Sequence, residues 1–86
     1  MLPLDTVNGF PIIAMFATGA RHSEYPGRIL IADRSDAHEE RYAVSWQGYN
    51  VVKQRWDGWW DCGCYCRDLG EAVAEFTKRI EREVRP

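Results

Sequence analysis

Residues 59–84 read WWDCGCYCRDLGEAVAEFTKRIEREV, and the spacing of the apolar residues changes within this stretch. From residue 69 onward they recur at steps of three and four, which is the spacing of one stripe along a helix. Asp68 and Glu71 stand three residues apart, as in a capping box. The sequence therefore predicts a C-terminal helix that begins near Asp68, with an apolar stripe made of Leu69, Ala72, Val73, Phe76, Ile80 and Val84.

The chain before this helix reads as a series of short strands joined by polar turns. Asn8-Gly9 and Asp57-Gly58 favour two-residue hairpin turns, because both central positions of such turns need a positive φ. The runs FPIIAMFAT, RILIAD and RYAVSW are expected strands: RILIAD is too short for a helix, and RYAVSW alternates with a period of two. Two more strands are expected in NVVKQRW and WWDCGCYC, which flank Asp57-Gly58.

The predicted helix can lie along the predicted sheet because their lengths match. A helix of about 16 residues is ~24 Å long, and the eight residues from Trp59 to Cys66 span ~27 Å when extended. We therefore expect an α+β fold, in which an antiparallel β-meander of five or six strands has one C-terminal α-helix packed on one face. The 86 residues fit a single domain, residues 1–86.

Composition and charge exclude several classes of protein. The net charge is −2 and the isoelectric point is about 5.6, which argues against a partner bound mainly through its phosphates. No apolar run approaches the ~20 residues of a membrane span. The start, MLPLDTVNGF, has neither the basic region nor the long apolar region of a signal peptide. We therefore expect a cytoplasmic protein whose thiols stay reduced and which has no membrane partner.

A two-residue turn at Asp57-Gly58 would place Trp56 opposite Trp59, Val51 opposite Cys64 and Tyr49 opposite Cys66. Alternation along the last strand then sorts its side chains onto two faces. One face would carry Trp60, Cys62, Cys64 and Cys66, and the other would carry Trp59, Asp61, Gly63 and Tyr65.

Three cysteines on one strand face are poorly spaced for a zinc ion. Thiolates on one zinc lie roughly 3.8 Å apart, whereas residues i and i+2 of a strand lie roughly 6.5–7 Å apart. We therefore predict that the cysteines pack beneath the helix as small apolar side chains. No metal site and no cofactor are expected, and a small structural zinc protein is kept as an alternative.

No residues of this sequence form a recognisable catalytic set. A catalytic thiol needs a base and an electropositive setting, and Cys66 beside Arg67 is the only hint of one. His22 and His38 both fall in polar loops, where a solvated histidine is the ordinary outcome. We therefore predict a protein that is not an enzyme and that has no catalytic residues.

Exposed aromatic residues are the sequence's main indication of a binding surface. One helix covers only one face of a sheet, and an exposed apolar patch on a small domain often marks a partner or dimer surface. Tyr and Trp are enriched at the energetic centres of interfaces, and acidic loops steer association with basic partners. The candidate partner-binding residues are Tyr49, Arg55, Trp56, Trp59 and Tyr65 on the hairpin, with Asp33, Asp36, Glu39 and Glu40 in an acidic loop.

A single-stranded nucleic-acid module is the alternative use of the same aromatic residues. Trp56, Trp59 and Tyr65, with Arg55 or Lys53 nearby, have the residue types of a base-stacking platform. Asp57 and Asp61 lie among them, however, and the chain is acidic overall, which argues against nucleic acid as the partner. Cross-strand pairing of tryptophans accounts for Trp56 and Trp59 equally well.

Residues 41–80 carry a strand, RYAVSW, a variable hairpin, a last strand and a helix, RDLGEAVAEFTKR. This order resembles a type of small accessory protein from phages and other mobile elements, whose last strand ends in Trp-Gly-His-Tyr-Phe. This sequence has Cys62, Cys64 and Cys66 where that pattern has Trp, His and Phe, which favours packing over zinc. The resemblance implies an inhibitor or accessory protein, anti-CRISPR-like, that occludes a host protein complex such as a CRISPR effector. A homodimer is the other expected association.

Overall fold

The computed structural model describes residues 5–18, 26–58 and 60–84, without the side chains of Asp61 and Cys62. The predicted α+β fold is confirmed as a curled antiparallel sheet of six strands followed by one C-terminal helix. Within the residues that the structure describes, the helix is neither long enough nor apolar enough to cross a membrane. In chain order the elements are β1 (Thr6–Val7), β2 (Phe10–Thr18), β3 (Gly27–Asp33), β4 (Tyr42–Asn50), β5 (Arg55–Trp56), β6 (Asp61–Cys66) and α1 (Leu69–Val84).

The first hairpin follows its turn chemistry. Asn8 and Gly9 have φ values of 52° and 81°, as a two-residue hairpin turn requires, and they join β1 to β2. β2 then pairs with β3 and β3 with β4, all antiparallel, with an irregularity between Ile12 and Ala14. The predicted Asn8-Gly9 turn is therefore confirmed.

The predicted pairing of the second hairpin is wrong. β4 continues through Gly48 to Asn50, the chain turns at residues 51–54, and β5 pairs only Tyr49 with Trp56 and Asn50 with Arg55. β6 lies against β4 as well, where Val44 faces Cys64. Asp57-Gly58 consequently does not join two paired strands.

Gly48 continues β4 for a packing reason. The indole of Trp46 lies against Gly48 and its strand partner Gly27, and a Cβ on Gly48 would come within 3.1 Å of that ring. The Trp46 indole N–H donates a hydrogen bond to the Thr18 hydroxyl at 3.2 Å. This glycine makes room for an aromatic ring, although a glycine between two strand-like runs would suggest a turn.

The helix covers one face of the sheet through a small apolar core. Its buried members are Ile31, Val44, Cys66 and Ala72, with Ala14, Tyr42, Cys64 and Phe76 packed around them. The predicted packing of cysteines beneath the helix is confirmed for Cys64 and Cys66. The helix also begins as predicted, because the Asp68 carboxylate accepts a hydrogen bond from the Glu71 N–H at 2.8 Å.

Half of the predicted helical stripe does not pack against the sheet. Leu69, Val73 and Val84 remain about half exposed, whereas Ala72 is fully buried and Phe76 packs beside it. The helix is therefore rotated relative to the centre of its apolar stripe. Glu75 and Arg79 form an i,i+4 ion pair at 3.0 Å on its partly buried side.

The opposite face of the sheet forms a second core. The expectation that this face would stay open is wrong, because the sheet curls and the β1–β2 hairpin closes over it. Trp60 packs here too, not beside the cysteines as predicted, since it precedes the first residue of β6. The buried members are Val7, Ile12, Leu30, Ala32 and Ala43, with Phe10 and Trp60 packed against them.

Candidate functional site

The hairpin end, defined as residues 49–58, projects from the C-terminal end of β4. Its turn is closed by the Lys53 N–H, which donates to the Asn50 side-chain oxygen at 2.9 Å. Gln54 supplies the positive φ, 55°, that lets the chain reverse. The Asp57 N–H donates to the Gly48 carbonyl at 2.9 Å, so both sides of the loop are held to β4.

Two adjacent valines occupy the tip of this turn and face solvent. Val51 is 61% exposed and Val52 is 89% exposed. Turns favour Gly, Asn, Asp and Pro for specific conformational reasons, none of which applies to a β-branched side chain. Lys53 and Arg55, both exposed, follow the valines. Local backbone structure therefore does not account for this apolar pair, which makes it a candidate contact surface.

Two grooves run along the hairpin end and differ in character. The first has a volume of about 430 Å³ and the second about 530 Å³, both within the roughly 300–1,000 Å³ of ligand-binding clefts. The first carries the valines and the second carries the cationic side chains. Tyr49, Asn50, Val51, Val52 and Asp57 line the first, and Asn50, Lys53, Arg55, Trp56, Asp57 and Gly58 line the second.

Trp56 anchors the hairpin end to the body of the protein. Its indole lies 4.0 Å from the Arg28 guanidinium carbon, within the range of a cation–π contact, and meets the Tyr49 ring edge-on at 5.1 Å between centroids. Trp56 is therefore half-buried, with one face of its ring against Arg28. Its first role is to fix the hairpin end in place.

Arg28 is 1% exposed and forms the centre of a buried polar network. Its Nε donates to Gln47 Oε1 at 2.8 Å, and its Nη1 donates to the Asp5 carboxylate. Gln47, also buried, donates through Nε2 to the Asp57 carbonyl, which belongs to the hairpin end. The hydrogen bond from Arg28 holds the pKa of the Asp5 carboxyl below its usual value. The network thus connects β1, β3, β4 and the hairpin end.

The predicted partner-binding residues fall into two groups at opposite ends of β4. Tyr49, Arg55 and Trp56 meet at the hairpin end, and Trp59 lies outside the described residues. Tyr65 pairs with Ala43 at the other end of the strand. Six to eight residue steps along β4 separate the groups by about 20–27 Å, so they do not form one site. The distant group consists of Tyr65, Asp33, Asp36, Glu39 and Glu40.

Some carboxylates of the acidic loop already contact arginines of the same chain. Both Asp33 oxygens accept hydrogen bonds from Arg41, at 2.8 and 3.0 Å, and this contact holds the Asp33 pKa below its usual value. Glu39 lies 3.3 Å from Arg67 in an exposed ion pair. The Arg34 guanidinium carbon lies 4.5 Å from the Tyr65 ring centroid. Asp36 and Glu40 stay exposed, so this end presents fewer free carboxylates than the sequence suggests.

Cysteine and histidine side chains sit in structural roles where the structure describes them. Burial raises the pKa of the Cys66 thiol to about 11, so it stays protonated at neutral pH. His38 donates its Nδ1–H to the Arg34 carbonyl at 2.6 Å, within its own loop. Among the described side chains, no three of His, Cys, Asp or Glu lie close enough to hold a metal ion.

Cys66 should resist alkylation in the folded protein. At pH 8 a thiol with a pKa of about 11 has about 100-fold less thiolate than an ordinary cysteine. We expect iodoacetamide to modify Cys66 at least that much more slowly in native protein than in guanidinium-unfolded protein. Peptide mass spectrometry over time measures both rates. Equal rates in the two states would show that Cys66 is not buried beneath the helix.

No protein-family model, curated protein or solved structure matches this sequence. The likeness to phage accessory proteins therefore remains an interpretation of residues 41–80. A proposal about function therefore rests on the exposed residues of the hairpin end.

Proposed function

We propose that this chain is a non-enzymatic binding protein that docks onto a partner protein through its hairpin end. The observation that carries the proposal is the exposure of Val51 and Val52, 61% and 89%, at the tip of a turn. Burying a valine side chain completely is worth about 1.5–3 kcal/mol. Two such side chains at a projecting tip are suited to fill an apolar pocket on another protein.

The charges beside the valines indicate the chemistry of the partner. Lys53 and Arg55 are exposed and line the second groove together with Trp56. Asp57 lies at the base of the hairpin, near Gly48. A partner surface with an apolar pocket beside a cluster of carboxylates would match this arrangement, because complementary charge steers and orients association.

The anchoring of the hairpin end favours tight binding. Ordering flexible loops and side chains consumes part of the free energy gained on association. Here Trp56 is held against Arg28, and Gln47 binds the Asp57 carbonyl, so the base of the hairpin is ordered before any partner arrives. Only the exposed side chains at the tip have freedom left to lose.

The resemblance to phage and mobile-element proteins supplies the biological context of the proposal. In that context the partner is a host protein complex, a CRISPR effector in the sharpest version, and the chain inhibits by occluding its surface. The acidic loop lies about 23 Å from the start of the hairpin end along β4. It would contact the same partner only if the partner extends along the side of the sheet.

Replacing Val52 with aspartate should weaken association while the fold survives. The change places a carboxylate where the partner is proposed to be apolar and acidic, so we expect affinity to fall at least about tenfold. The wild-type chain is used to capture a partner from host extract, the partner is identified and purified, and dissociation constants are measured by titration. Circular dichroism confirms that each variant is folded.

Leu69→Asp provides the matched control for this experiment. Leu69 is also an exposed apolar residue, but it lies at the start of α1, where a carboxylate is compatible with the helix dipole. This variant should keep its affinity within about twofold, as surface changes outside the interface do. Equal affinity for both variants would contradict docking at the hairpin end. Binding only to oligonucleotides, or self-association lost in Val52→Asp, would replace the proposed partner with nucleic acid or a second copy.

A further inference from the structure

Two buried polar atoms inside the curled sheet have no hydrogen-bond partner among the residues that the structure describes. They are Nη2 of Arg28 and Oγ of Ser45, and both residues are at most 1% exposed. Buried polar atoms in native proteins are almost always satisfied by protein or by ordered water. A hydrogen-bond partner is therefore expected for each of the two atoms.

The strand register places the two residues beside each other on the inner face of the sheet. Arg28 lies opposite Gln47, and Leu30 lies opposite Ser45, across the β3–β4 ladder. Side chains two residues apart share a face, so Ser45 is the diagonal neighbour of Arg28 on the inner face. Diagonal neighbours lie about 7–8 Å apart at their Cα atoms, a gap that the long side chain of arginine can largely span.

The chemistry of the site selects an uncharged oxygen. The positive charge of Arg28 is already balanced by Asp5, so a buried anion would add an uncompensated negative charge. Nη2 offers two donors, and the Ser45 hydroxyl both donates and accepts. A single water molecule fits these needs, since buried waters require two to four polar partners.

We propose that a buried water molecule bridges Nη2 of Arg28 and Oγ of Ser45 inside the curled sheet. This water gives Nη2 of Arg28 an acceptor. The other guanidinium nitrogens donate to Gln47, Asp5 and the Met15 sulfur, and the guanidinium lies over the Trp56 ring. The water thereby helps to hold the arginine against the tryptophan that anchors the hairpin end. Ser45 is then a positioning residue for the hairpin end. It is fully buried and acts through the water and Arg28.

A high-resolution crystal structure of the full chain, grown in sodium bromide, tests the proposal. We expect a density peak within about 2.7–3.2 Å of both atoms, without anomalous signal at the bromine edge. An anomalous peak there would show that the site takes an anion. A direct hydrogen bond between the two side chains, or another protein group on either atom in place of the peak, would also overturn the proposal.

The Ser45→Ala variant provides the second measurement under the same conditions. Removing the hydroxyl leaves Arg28 as the only named partner of the water, which is fewer than a buried water requires. We expect the peak to be lost in this variant, with Trp56 less ordered over Arg28. An unchanged peak would show that Ser45 does not hold the water.

Discussion

Replacing Leu30 with alanine is expected to destabilise the protein by about 2–5 kcal/mol, the range for a large-to-small change in a packed core. Leu30 is 0% exposed and lies at the centre of the core on the face that the helix does not cover. Urea unfolding followed by tryptophan fluorescence and circular dichroism measures the change. A domain of this size has about 5–15 kcal/mol of stability in total, so this loss removes a large fraction of it.

The matched control is Val52→Ala, which shortens an aliphatic side chain that faces solvent. Its free energy of unfolding should stay within about 0.5 kcal/mol of the wild type. If Leu30→Ala cost less than about 1 kcal/mol, the inner face would not be a core. The curl of the sheet that buries it would then be wrong.

Phe76→Ala is the second change with a large expected effect, because Phe76 packs on the buried cluster that joins α1 to the sheet. Buried aromatic-to-alanine changes cost about 3–5 kcal/mol, and Phe76 is only partly buried, so we expect about 3 kcal/mol. The same urea titration measures it, with helix content followed by far-ultraviolet circular dichroism.

Val73→Ala tests whether the rotation of the helix is correct. Val73 is about half exposed and lies three residues before Phe76 on the predicted apolar stripe. It should cost less than about 1 kcal/mol, since much of its side chain is already in water. Equal losses for the two variants would mean that the helix faces the sheet through the centre of the stripe.

The fold class could be predicted from the sequence because its strongest signals are local. The helix has its own period and its Asp68 cap, and Asn8-Gly9 specifies a turn whatever surrounds it. The pairing of β6 could not be predicted in this way. A strand that alternates with a period of two presents the same faces to any neighbour, so its pattern does not choose between Val51 and Val44 as the partner of Cys64.

The curl of the sheet depends on contacts that are distant in sequence. Leu30, Ala32 and Ala43 are buried because the β1–β2 hairpin and Trp60 close over them. RYAVSW alternates, and alternation does not indicate whether the second face of a strand meets water or another part of the chain. The unbroken apolar run at residues 29–32 of RILIAD, by contrast, is the pattern of a strand buried on both faces, as β3 is. An open face is expected when one helix covers only one of the two faces of a sheet. A curled sheet, however, can bury its second face against its own strands.

The candidate site was only partly accessible to sequence reasoning. Aromatic enrichment led to Tyr49 and Trp56, which do belong to the hairpin end. Val51 and Val52 fall in NVVKQRW, the strand predicted before Asp57-Gly58, whereas their exposure depends on the turn at residues 51–54. Arg28 carried no signal of its own, since its burial depends on Asp5, 23 residues away in sequence.

The proposed function requires a partner protein to dock on the hairpin end. The most direct test is a ¹H–¹⁵N correlation spectrum of the labelled chain, recorded while the purified partner is added. We predict that shifts and line broadening concentrate in residues 49–58, while the amides of α1 and of the loop at residues 34–41 change little. Perturbations centred on the helix or on the acidic loop, with the hairpin end unaffected, would contradict the claim.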